Sequence, residues 1–166
     1  MRSDPRNRLA DGQGLVEAAM FSFLALLLAA AACEGGKWCL AQACAESAAT
    51  GVVRTVSADL DGMPSDEEVL AAARSAASPF EVESATVEAS AAETETYDHK
   101  LEADGSYVDR RSTVSSTPCT VTVKLKADYI TSLGKVLAIG TGSDGTAYEV
   151  ASVHAFSKDS TLEGSW

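Results

Sequence analysis

The side chains with chemistry to offer are few and scattered. Cys33, Cys39, Cys44 and Cys119 are the only candidate thiol nucleophiles, and His99 and His154 are the only histidines. Cysteine catalysis needs a base held beside the thiol, and zinc needs closely spaced ligands with tetrahedral reach. Neither a Cys-x-x-Cys pair nor a close pair of histidines occurs. Glu93, Glu95 and Asp98 carry oxygens of the kind calcium takes, but without the order of an EF-hand loop, and read as a solvated edge. The run Gly140 to Gly145 has the glycines of a phosphate loop and lacks its Lys-Ser/Thr ending. The expectation is no metal, no cofactor and no catalysis. His154 reads as a structural residue in a strand, and His99 as part of an acidic exposed loop.

Glu17 is the charged residue that needs an explanation. From Ala18 to Cys33 no residue is charged and only Ser22 is plainly polar, while Leu15 and Val16 precede the glutamate. Sixteen helical residues rise about 24 Å, and adding Leu15 and Val16 brings the rod near the ~30 Å hydrocarbon core of a bilayer. A carboxylate at the bilayer centre costs about 2.5–3.5 kcal/mol on translocon scales, and less at the edge where Glu17 falls. There it also complements the positive end of the helix dipole.

Arg2, Arg6 and Arg8 stand before the apolar run, which orients the N-terminus to the cytoplasm and exports the remainder. The whole chain has 166 residues and a formal net charge of −11. Beyond Cys33 there are 10 basic residues against 21 acidic ones, so the exported part carries the negative charge. Such a surface favours solubility and repels nucleic acid, and no nucleic-acid partner is expected. The organisation expected is a basic leader over 1–12, a transmembrane helix over 13–33 and one exported domain over 34–166.

Gly35 and Gly36 each weaken a helix by about 1 kcal/mol relative to Ala, which predicts a bend. The helix resumes amphipathically with Trp38, Ala41, Ala45, Ala48, Val52 and Val56 on one core-facing stripe, and runs to about Ala58. Asp61-Gly62-Met63-Pro64 ends it. Ser65 and Glu68 form a capping box for a second helix that stops at Ser78-Pro79.

From Phe80 the period becomes two. Phe80 and Val82 alternate with glutamates, a slip near Ser84-Ala85 predicts a bulge, and Val87 and Ala89 resume the pattern. Glu93 to Tyr97 is expected to extend this strand, and Ala103-Asp104-Gly105-Ser106 to turn a hairpin into Tyr107 and Val108. Ser112 to Pro118 is too polar to assign. Cys119, Val121, Val123 and Leu125 alternate with Thr and Lys and form the clearest half-buried strand. Thr131 to Ile139 fits a short helix or a loop, Thr146 to Phe156 a last strand, and Ser157 to Trp166 a polar tail. The fold class is α+β: a long N-terminal helix packed against a small antiparallel β-sheet, with a second short helix.

Outside the membrane an even number of cysteines permits disulfides. Cys39 and Cys44 share a helix in poor geometry for bridging each other. A bond from either to Cys119 would staple helix to strand, and free or separately buried thiols are the alternative.

Gly12-Gln13-Gly14-Leu15-Val16-Glu17 followed by an apolar helix resembles the class III signal of type IV pilins and their relatives, most nearly the TadE-like minor pilins or pseudopilins of tight-adherence systems. The likeness covers Gly12 to about Arg54, with a looser one at Val121–Leu125 and Tyr148–Phe156. Ala18 stands where many TadE-like proteins have an aromatic residue, and Gln13 where classical pilins have Phe. The resemblance implies a prepilin peptidase that cuts after Gly12 and leaves Gln13 as the mature N-terminus. It also implies that Glu17 meets the new amine of a neighbouring subunit, with other pilin-like subunits, the assembly machinery and the membrane as partners. A surface lipoprotein anchored through Cys33, after the weak lipobox Ala30-Ala31-Ala32, and a secreted binding domain behind an ordinary signal peptide are the other readings.

Overall fold

The structure, a computed structural model, describes the backbone of residues 5–58, 62–103, 106–140 and 145–162; side chains are described within these segments except for residues 5–12, 99–103, 106–111, 137 and 160–162. Much of the expected leader, the Asp104-Gly105 turn and most of the Gly140–Gly145 run therefore lie outside the described residues or side chains.

Helix α1, Pro5–Ala58, runs 54 residues without a break. The helix is not interrupted at Gly35-Gly36, where the two glycines are expected to weaken it. A helix this long loses about 1 kcal/mol per glycine but would leave backbone groups unpaired at a break, and alanine-rich turns flank the pair on both sides. Among the described residues no atom lies within 4 Å of a Cβ placed at either glycine, so no close packing there calls for them.

The chain forms two compact units, one of Met1–Cys39 with Asp128–Tyr148, the other of Leu40–Ala127 with Glu149–Trp166. In the second unit, Ala41, Ala45, Ala48, Ala49, Val52 and Val56 are fully buried, the three-and-four spacing of a core face. Trp38, expected on that stripe, is 53 % exposed.

Helix α2, Asp66–Ala77, starts as the capping box requires: Ser65 Oγ accepts from the Glu68 N–H at 3.4 Å, and the Ser65 N–H donates to Glu68 Oε2 at 2.9 Å. Val69, Ala73 and Ala77 form its buried stripe. Gly51 of α1 sits against it, since a Cβ there would lie 3.5 Å from that of Ala76.

The sheet is antiparallel, with strands β1 (Glu81–Ala89), β2 (Glu93–Ala103), β3 (Ser106–Asp128) and β4 (Ala147–Leu162). The 23-residue β3 organises it, pairing β2 with its first half, β1 with its second, and also β4. The bulge appears as a register shift between Val82 and Ser84, and the hairpin as the Ala103–Ser106 pair. Glu93 onward is a separate strand, not a continuation of β1, although Ala89 faces Cys119 and Glu93 faces Ser116, so the ladder slips by only one residue. The unassigned Ser112–Pro118 is strand, because pairing with β2 supplies what its apolar content lacks. The expected polar tail is strand as far as Leu162: the Ser157 hydroxyl hydrogen-bonds that of Ser116, and Lys158 Nζ donates to the Gly62 carbonyl. Cys119, Val121, Val123, Leu125 and Ala127 are buried in strict alternation and form the sheet side of the core.

Candidate functional site

Two carboxylates mark the helix of the first unit, one at each end of its apolar stretch. Around the first, Gln13 and Glu17 are one turn apart, and Gln13 Nε2 donates to Glu17 Oε1 at 3.3 Å. Both side chains are exposed, and Met20, Phe21, Phe23, Leu24 and Leu27 continue the surface beside Glu17. The stretch qualifies by length and hydropathy as one that could cross a membrane or act as a signal, and none of its apolar window is buried inside the protein. Gly12 is helical, and its surroundings lie outside the described side chains.

The second carboxylate is Glu34, which no local sequence pattern singles out. Its Oε1 accepts from the Thr131 backbone N–H and from the Thr131 hydroxyl, the latter at 2.9 Å. Thr131 Oγ1 in turn accepts from the Gly134 N–H at 3.0 Å, which makes Thr131 the N-cap of helix α3, Ser132–Gly140. Lys37 Nζ donates to the Asp128 carbonyl, tying the adjacent turn of α1 to the same segment. Desolvation of the Glu34 carboxylate opposes ionisation, but the Thr131 N–H and hydroxyl, the Ile130 backbone and nearby Lys37 outweigh it and hold the carboxyl below its ordinary value.

Space around this contact is tight on one side and open on the other. A Cβ at Gly134 would lie 2.7 Å from Glu34 Oε1 and 3.0 Å from the Tyr129 ring, so the bare backbone at Gly134 lets the carboxylate sit this close without a shift. On the open side a recess of about 410 Å³ is bounded by Ala30, Ala31, Glu34, Leu133 and Ala138. Glu34 Oε2 and the Tyr148 hydroxyl are buried, with no hydrogen-bond partner among the described residues. Tyr148 stacks at a tilt on Tyr129 with ring centroids 5.2 Å apart, and burial first, then the charge of Glu34 and Tyr129, raises its hydroxyl above the ordinary value. The signal in the sequence was a carboxylate directly after the apolar run and a threonine before Ser-Leu-Gly. What pairs them is tertiary.

The structure leaves all four cysteines as free thiols: Cys33 and Cys39 exposed, Cys44 half-buried with its Sγ 3.7 Å from the Ser78 carbonyl, and Cys119 buried with its Sγ 3.4 Å from the Thr117 carbonyl. Burial raises the Cys119 thiol, against the opposing pull of Lys158. His154 lies in β4, half-buried, and His99 in β2 rather than a loop. Among the described residues no three His, Cys, Asp or Glu side chains converge as a metal site would require.

A long apolar N-terminal helix whose continuation packs on an antiparallel sheet is a pilin-like architecture. The chain matches no protein-family model, no curated protein and no solved structure.

Proposed function

We propose that this chain is a TadE-like, membrane-anchored structural subunit for assembly of a tight-adherence pilus, not an enzyme. The observation that carries the reading is the apolar segment of α1, none of whose membrane-length window is buried, continuous with a buried alanine–valine face on the sheet. A soluble domain would hide the first; a subunit that rests in a bilayer and then packs by that helix needs it bare. In this reading the arginine leader stays cytoplasmic, prepilin peptidase cuts between Gly12 and Gln13, and the rest is extracytoplasmic. Glu17 then meets the new N-terminal amine of Gln13 in a neighbouring subunit, a far stronger partner than the amide it holds now.

Mass spectrometry of the native N-terminus tests this directly. A mature chain beginning at Gln13 supports it. A lipidated Cys33, or a start downstream of the apolar segment, would replace it with the lipoprotein or secreted-domain reading.

A further inference from the structure

We propose that α3 lies in the outer membrane–water interface, with Ile130, Val136 and Ile139 set into the lipid that surrounds the end of the spanning helix. This inference rests on the bilayer-spanning reading of α1 and adds a second, separate membrane contact.

The position of α3 along α1 is fixed by contacts within one unit. Glu34 holds the Thr131 cap, Gly134 abuts the Glu34 carboxylate, and Ala30 and Ala31 line the same recess as Leu133 and Ala138. Ala30 is about one turn, or 5.4 Å, before Glu34, so α3 sits level with the last turn of the apolar run. If the run from Leu15 to Cys33 fills the hydrocarbon, that level is the boundary of the bilayer.

The faces of α3 are sorted accordingly. Gly134 and Ala138, four apart and buried, turn toward the protein. Val136 and Ile139, three apart, are 64 % and 60 % exposed, and Ile130 just before the helix is 56 % exposed. A nine-residue helix in water has no reason to present two branched apolar side chains on one outward face. Trp38, exposed on the next turn of α1 beyond Glu34, is the residue type that settles at headgroup level, and the exposed Lys135 can extend its ammonium toward lipid phosphates. The exposed apolar side chains of α3 thus stand at the level where the apolar run of α1 ends, which commits the occupant to lipid.

The test uses the full chain in phosphatidylcholine/phosphatidylglycerol proteoliposomes. A photo-crosslinking benzoylphenylalanine replaces Val136, Ile139, Leu24 or Glu88 in turn, and lipid and protein adducts are counted by mass spectrometry. Leu24 reports the span, and Glu88, exposed on β1, reports water. The expected result is lipid adducts at Val136 and Ile139 within about threefold of Leu24 and at least about tenfold above Glu88, as interfacial burial requires. Adducts at Leu24 alone would overturn the inference and leave the spanning helix standing. Adducts at Val136 to a second copy would overturn it in favour of a protein contact, and no lipid adduct at any position would remove the spanning reading and this inference together.

Discussion

Glu34 and Thr131, 97 residues apart in the chain, are joined by two hydrogen bonds to a single carboxylate oxygen. The contact does two things at once. It gives one oxygen of a carboxylate at the end of an apolar helix two donors, and it places that charge at the N-terminus of α3, where the helix dipole favours an anion.

Removing the charge should loosen α3. Glu34→Gln keeps the shape but weakens a charge-assisted pair, at a cost of about 1–3 kcal/mol. Hydrogen exchange in the reconstituted protein should quicken at the Thr131 and Gly134 amides and not at Val121 or Val123. Equal protection in the variant would show that the contact holds nothing.

The same pair sets a pH dependence. The Glu34 carboxyl sits below its ordinary value when the segment is docked, so the undocked form binds more protons as pH falls. The contribution is complete above the ordinary carboxylate value of about 4.3 and is lost as pH drops through the docked value. Thr131 protection should fall in that acid range and stay flat between neutral pH and the ordinary value; a decline centred near neutrality would point to another group.

Gly134→Ala should be unfavourable by about 1–3 kcal/mol, because the new methyl meets the bound carboxylate and the Tyr129 ring. In Glu34→Ala the same change should cost much less. A double-mutant cycle read by exchange at α3 measures that difference, and simple additivity would contradict the steric account.

Glu17→Ala should leave the sheet unit folded, with unchanged circular dichroism and protease resistance, while the fraction recovered in sheared surface filaments drops at least about tenfold, as loss of one partner of a desolvated ion pair implies. Normal incorporation would remove the assembly role of Glu17.

Cys119 should react with iodoacetamide at least about tenfold more slowly than Cys39 in the folded protein, since burial disfavours its thiolate. All four thiols should react after unfolding without reductant. A Cys119 peptide linked to Cys39 or Cys44 in non-reducing digests would establish the staple and displace the free-thiol arrangement.

Local chemistry made most of the fold legible. The capping box at Ser65 and Glu68, the Val121–Leu125 alternation and the alanine–valine stripe of α1 each depend on neighbours within a few residues, and each is found where its pattern places it. The misses share a cause. Ser112–Pro118 and Ser157–Leu162 are strands because other strands pair with them, and Gly35-Gly36 stays helical because its surroundings outweigh two unfavourable residues. At the candidate site, Gln13 and Glu17 were visible because a charge beside an apolar run stands out, whereas Glu34 looked like an ordinary solvated flank. Its partner, Thr131, lies 97 residues further along the chain, and spacing carries no trace of that pairing.

The bare backbone at Gly134 has an evolutionary corollary. A descendant that keeps the acid at position 34 in this docked pose is barred from growing a side chain at 134, while one that has lost the acid is released from that bar. The two sites should therefore drift as a linked pair, and a lineage carrying glutamate at one and a bulky residue at the other would have had to remodel the junction between them.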